Sequence, residues 1–549
     1  MMELKRCSGI LMPISSLPGG YGIGSLGAPA RRFVDFLVRA GQSVWQILPV
    51  GPTGYADNPY QSCSAFAGNP YFIDLDILRQ RGLLTEAECA PLPAGRVNYG
   101  LLYTTRLAVL ERAWQRWRTQ RPVPGYEIPY PDDWYRFCFA NEAWLDDYAL
   151  YMTIKETHGM AAWLAWPQPL RRRDPEALEA FRAEQADRIE FWKFVQYLFD
   201  GQWRALKEYA NDKGVKILGD IPIYAAADSA DAWAGRELFE TDEDGAPVRV
   251  AGCPPDYFSA DGQLWGNPLY NWAYHKQTGY AWWKRRLRHA LELYDIVRID
   301  HFRAFDTYYA IPADAATART GKWEQGPGLD FFREMERAFG PQLPIVAEDL
   351  GELFDSVRQL LRDTGLPGMK VLQFAFGGGA ENEYLPHNYP ENCVVYPGTH
   401  DNTTTAHWLA TAPKAETAMA RAYFGLNTRE GLTEGFIRGA LASPARLAVI
   451  PMADWLGLGA EGRINTPGRL MAENWSWRCE ARALTGTLAA HIREKCALFG
   501  RCEPAPAEEP ETEEAKPKAE KKAPAAPARP AAKAAPKAKG RSTARRKVT

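Results

Sequence analysis

The chain has 549 residues, 46% of them hydrophobic and 24% charged, with a net charge of −2. Those fractions are ordinary for a soluble globular protein, and no apolar run approaches the length of a membrane span, which excludes an integral helical membrane protein. Residues 503–549 hold 12 Lys/Arg and 7 Glu, a net of +5, so residues 1–502 carry −7, a mildly acidic body that is no nucleic-acid binder.

In chain order, short apolar runs bounded by Gly, Pro or polar turns fall at 9–14, 44–50, 215–223, 295–299, 344–346, 370–376, 393–396 and 447–451. Such runs are the pattern of buried parallel strands. Amphipathic helical spacing follows the first run at 30–40, precedes the fourth at 280–293 and follows the fifth at 353–363. Eight strands with intervening helices predict an α/β fold, a (β/α)8 barrel over residues 1–502. Two intervals interrupt it. Residues 75–212, with helical stretches at 101–118 and 188–209 rich in Trp and Tyr, predict a helical insertion on the barrel's upper face. Residues 225–278, rich in Gly, Pro, Asp and aromatics, predict loops over a site. Residues 503–549 are nearly all Ala, Pro, Lys, Arg and Glu and predict a disordered tail, either a solvated end or a basic arm for an acidic partner.

The nine Cys include no C-x-x-C pair, and residues 1–6 lead straight into folded-looking sequence rather than a signal peptide. Both features predict a reducing cytoplasm and free thiols. The eight His do not cluster, so no zinc or haem site is expected. The 19 Trp, 25 Tyr and 23 Phe suit either a sugar-binding surface or a large core.

Three acidic islands carry the chemistry: Arg298-Ile299-Asp300-His301, Ala347-Glu348-Asp349-Leu350 and Thr399-His400-Asp401-Asn402. Each closes a predicted strand, which places three carboxylates on successive strand ends at one rim. Paired carboxylates are the apparatus for breaking glycosidic bonds. Arg298 lies two residues from Asp300 on the same strand face and favours its ionised form, as a nucleophile requires. Glu348, held protonated in less polar surroundings, suits a general acid, and Asp401 suits a group that steadies positive charge or a ring hydroxyl. Acids that merely cap the following helices, or pair with nearby Arg, are the alternative.

Two loops bear on the same rim. The run from Gly252 to Pro268 offers Tyr257, Phe258 and Trp265 as flat faces for a lid, and Asp57 to Ser62 supplies a polar-aromatic stretch just beyond the second strand. Gly19 to Gly24 lacks the ending of a phosphate loop and reads as a mobile turn. Asp242-Glu243-Asp244-Gly245 has too few further oxygen ligands for calcium and reads as a tight acidic turn.

Taken together, Ser8–Leu11, Ser15–Gly19, 57–69, Gly219–Tyr224, 254–270, 298–303, 347–351, 398–402 and Arg463–Gly468 resemble, in order, the amylomaltases of glycoside hydrolase family 77, the 4-alpha-glucanotransferases or disproportionating enzymes. The resemblance implies a (β/α)8 barrel and a retaining double displacement on alpha-1,4-glucans and malto-oligosaccharides. It also implies that no metal or organic cofactor is needed. It puts Asp300 on the nucleophile, Glu348 on the acid/base and Asp401 on the third carboxylate. Arg298, His301 and His400 fall on residues that bind the sugar beside the scissile bond. Tyr60, Trp265 and Asn465 fall on substrate contacts, and Tyr55 on a residue of a second glucan site. The chain departs from many relatives at Thr403 and at Gly377–Gly379, where acids are common. A hydrolase using the same acids, and a non-catalytic glycan-binding protein, are the alternative functions.

Overall fold

The structure is a computed structural model, and it describes residues 5–119, 132–255 and 260–504. The expected tail, apart from its first two residues, and the expected lid residues Tyr257 and Phe258 lie outside the described residues.

All eight expected barrel strands form. They are β1 (Cys7–Leu11), β2 (Val44–Gln46), β3 (Lys216–Pro222), β6 (Ile296–Asp300), β9 (Ile345–Ala347), β10 (Gly368–Val371), β11 (Cys393–Tyr396) and β12 (Leu447–Pro451). They pair in parallel in the order β10-β11-β12-β1-β2-β3-β6-β9. Neighbours in space are thus neighbours in sequence, as in a barrel of repeated right-handed crossovers. Their residues are nearly all buried, because both faces are covered and apolar side chains serve on each. Several expected bounds shift for backbone reasons. β1 stops before Pro13 and β2 before Pro49, where no N–H is available to continue a ladder. The sixth strand begins at Gly368 and gives way at Leu372–Phe374 to a 3-10 turn.

The seam between β9 and β10 closes differently. The Ala347 N–H donates to the Pro367 carbonyl at 2.9 Å, and the Met369 N–H donates to Asp349 Oδ1 at 2.6 Å. Gly368 is required there, since a Cβ would meet the Asp349 carboxylate at 2.5 Å. A side chain thus does part of the work of a missing ladder. The alternation of strand and helix also lapses here: among the described residues β10 and β11 are joined by 3-10 turns (Leu372–Phe374 and Pro386–Asn388) and no α-helix.

The interval 75–212 contains helices Tyr99–Thr119, Asp132–Thr157 and Ala186–Asp212. The last corrects the reading of the whole interval as an insertion. Its Tyr209 hydroxyl donates to Asp35 of helix Ala28–Arg39 at 2.8 Å, and its Trp203 indole donates to the Leu293 carbonyl at 3.0 Å. It is therefore the crossover helix that delivers the chain from β2 to β3, lengthened outward. The interval 225–278 is likewise more than loops. It contributes β4 (Arg249–Cys253) and β5 (Gln263–Pro268), which join β7 (Thr307–Pro312) and β8 (Lys322–Gln325) in an antiparallel sheet ordered β5-β4-β7-β8. The turn at Asp242 is as read: its Oδ1 accepts from the N–H groups of Asp244 and Ala246.

Most of the 19 tryptophans are buried, several of them completely, so the aromatic excess serves mainly the core. No helix among the described residues is long and apolar enough to cross a membrane.

Candidate active site

The register of β6 and β9 builds the floor of the site. Ile299 pairs with Ala347, so Asp300 and Glu348, each one residue further, stand side by side on adjacent strands. Two bonds hold that step: Glu348 N–H to the Ile299 carbonyl at 3.1 Å, and Phe302 N–H to the Glu348 carbonyl at 3.1 Å. Asp401 follows β11, with β10 intervening. The three islands therefore sit on the fourth, fifth and seventh barrel strands rather than on three successive ones, because Gly368–Val371 is itself a barrel strand.

Arg298 and Asp300 share a strand face as their spacing requires. The Arg298 fork bridges two acids: one nitrogen donates to Asp300 Oδ1 at 2.7 Å, the other to Asp220 Oδ2. Asp220 lies opposite Arg298 on β3 and is wholly buried. Its Oδ2 also accepts the Tyr60 hydroxyl at 2.8 Å. With that hydrogen committed, the 2.9 Å contact from Tyr60 to His400 Nε2 is made by an Nε2–H donating to the phenol oxygen. The Tyr60 and His400 rings stack at 5.3 Å and 13°. Sequence reasoning placed Tyr60, Arg298 and His400 here but passed over Asp220 as a site residue. The available signal was a carboxylate inside an apolar strand run, costly unless paired.

Glu348 accepts two backbone N–H groups, from His301 at 2.7 Å and Leu350 at 2.8 Å. His301 has φ 57°, in the left-handed region, at the sharp turn off the strand end. Burial first, and then the neighbouring Asp300, push the Glu348 carboxyl up to about 8, against the opposing pull of Arg298. Burial also pushes Asp300 up, to about 6, with Arg298 holding it lower. The order follows from contact, since Asp300 has the guanidinium directly on it. The proton therefore sits preferentially on Glu348 rather than on Asp300.

The wall opposite is set by Asp401. Its Oδ1 accepts from the Asn465 amide at 2.7 Å, and its Oδ2 lies 3.4 Å from His400 Nε2. Asn465 is held in turn by its N–H on the His400 carbonyl at 3.1 Å. Trp265, on β5, meets the His301 ring edge-to-face at 4.8 Å and 87°. Gln61 ties the two loops together by donating to Asn267 at 2.9 Å. Tyr55 is different: it is 75% exposed in a 3-10 turn, and no bond joins it to the acids among the described residues. Of the departures noted above, Thr403 pairs its hydroxyl with His407 at 2.8 Å.

A graded pair of carboxylates, Glu348 buried and Asp300 partly exposed, beside a third acid and rimmed by aromatic rings, has the chemistry of glycosyl transfer or hydrolysis. The sequence comparisons agree. The family model for 4-alpha-glucanotransferase matches residues 12–485. A 4-alpha-glucanotransferase of Clostridium butyricum is 45% identical over 498 residues, which is 90% of this chain and 100% of the relative. One of Thermus thermophilus is 47% identical, over 90% of this chain and 98% of the relative. The solved amylomaltase of Streptococcus agalactiae, in complex with acarbose, aligns with a TM-score of 0.87 at 39% identity, over 91% of this chain and 100% of that one. The chain belongs to glycoside hydrolase family 77, the 4-alpha-glucanotransferases.

Proposed function

We propose that the protein moves alpha-1,4-glucan segments between malto-oligosaccharides or polymer chains by two successive inversions at one anomeric carbon. Asp300 attacks that carbon while Glu348 gives its proton to the departing 4-oxygen. Glu348, now a carboxylate, then removes the proton from the 4-hydroxyl of an incoming glucan, which displaces Asp300. Asp401 holds a ring hydroxyl as positive charge develops. Arg298, His301, His400, Tyr60, Trp265 and Asn465 position the sugar, and Tyr55 serves a separate glucan contact outside this cluster.

The observation that carries this reading is the adjacent Asp300–Glu348 pair, in which one acid touches a guanidinium and the other does not. Adjacent strand ends permit the close carboxyl approach of a retaining pair (about 5–5.5 Å), where an inverting one needs about 6.5–9.5 Å. The solved relative's complex with acarbose supports the substrate class. The spacing of the nine cysteines, with no C-x-x-C pair, supports a reducing, cytoplasmic setting.

Incubation with pure maltotriose tests the function. Longer and shorter oligomers with glucose, and little gain in reducing ends, are expected. Steady growth of reducing ends would make the protein a hydrolase.

A further inference from the structure

A groove of about 520 Å3 opens between helix Asp132–Thr157 and the segments Ala230–Ala234, Trp272–Gln277 and Ala281–Leu293. None of its lining residues belongs to the acid cluster. The space exists because the facing positions Ala140, Ala143, Ala234 and Ala281 are small. Around them the walls are aromatic. Phe66 and Trp282 form a buried base, edge-to-face at 6.2 Å and 90°. Trp144 lies nearly parallel to Phe66, at 6.1 Å and 13°, and is itself only half-buried. Tyr274, also half-buried, adds a further ring.

The rim supplies hydrogen-bonding groups of both signs. Arg285, Glu237 and Glu292 are exposed there, and none of the three forms a salt bridge among the described residues. His289 hydrogen-bonds to the Phe66 carbonyl through Nε2 at 2.8 Å. Burial holds this imidazole neutral, down at about 4, so Nε2 carries its one hydrogen and Nδ1 is an acceptor. An anion would meet the two glutamates, and a cation would meet Arg285. A neutral polyol suits both, its hydroxyls donating to carboxylates and accepting from the guanidinium while its C–H faces lie on the rings. The volume is that of a small-molecule site.

We propose that this groove is a further glucan-binding site, separate from both the acid cluster and Tyr55, which holds a remote segment of a long chain. The inference rests on the glucan-transfer reading. A tether of this kind raises the effective concentration of polymer at the cleft and does nothing for a trisaccharide too short to occupy both places.

Affinity electrophoresis of the full-length protein in native gels containing glycogen, together with maltotriose transfer rates, tests it. Trp144→Ala removes a wall, and Ala143→Arg, at an exposed helical position, obstructs the opening without touching the core. Both are expected to weaken retardation by glycogen about fivefold or more, with maltotriose transfer kept within about twofold. The second variant answers the question should the first fail to fold. Unchanged glycogen affinity in Ala143→Arg overturns the groove, as does a parallel loss on maltotriose. Wild-type protein inactive on maltotriose contradicts the underlying transfer reading instead, so the two failures are distinct.

Discussion

The floor of the cleft and its wall use the same residue types to different ends. On the floor, Asp220, Arg298 and Glu348 are all but buried, and burial together with one guanidinium spreads the proton affinities of Asp300 and Glu348 apart. On the wall, the Asp401 side chain is 41% exposed and is held by the Asn465 amide. The floor adjusts charge, while the wall adjusts position. Lost charge should therefore cost more than lost position.

The largest effect is expected for Asp300→Asn, which replaces the proposed nucleophilic carboxylate with a neutral amide: transfer should fall by about 10^4-fold or more in a chromatographic maltotriose assay. Glu348→Gln should lose about 10^3-fold to 10^4-fold on maltotriose. It should keep much of the first step with an alpha-maltosyl fluoride donor, followed by fluoride release, because fluoride departs without a proton. Asn465→Ala, which deletes one hydrogen bond to a carboxylate, should cost about 1.5–3 kcal/mol of transition-state stabilisation, read as kcat/KM. A wall variant that cost as much as the floor variants would erase the distinction.

The pH profile sharpens it. The proposed mechanism needs Asp300 ionised and Glu348 protonated. Hence kcat/KM should fall as pH drops through about 6, where Asp300 gains a proton, and fall again as pH rises through about 8, where Glu348 loses one. The smallest effect concerns stability. The folded state binds the Glu348 proton more tightly than the unfolded chain does, so stability is lost as pH rises from the ordinary value of 4.5 through about 8. Glu348→Gln lacks that loss. Its Tm should exceed the wild-type value by about 1–3 °C at pH 8, with the gain shrinking toward pH 4.5. A gain that grew on acidification would reverse the sign of the argument.

The same contrast explains what the sequence shows. Strand ends that carry acids stand out, because a carboxylate closing an apolar run serves no packing purpose. Asp300, Glu348 and Asp401 were legible for that reason, and so were the eight barrel strands. Asp220 was not, because its partner Arg298 lies 78 residues away and only the folded register of β3 and β6 pairs them. The antiparallel sheet was hidden in the same way: β4 draws its second partner from β7, past an entire barrel strand. The helix Ala186–Asp212 shows a helical pattern plainly, but its membership in the barrel depends on contacts with Asp35 and Leu293 that lie outside its own segment. Local pattern reveals the elements, and distant pairing decides their roles.

The central claim is a covalent bond from glucan to Asp300, and trapping it is the most direct test. Glu348→Gln protein treated with alpha-maltotriosyl fluoride should gain the mass of one maltotriosyl unit, mapped by peptide mass spectrometry to the segment containing Asp300. Fluoride release with no adduct and a beta-configured product, or an adduct on another residue, would contradict the account.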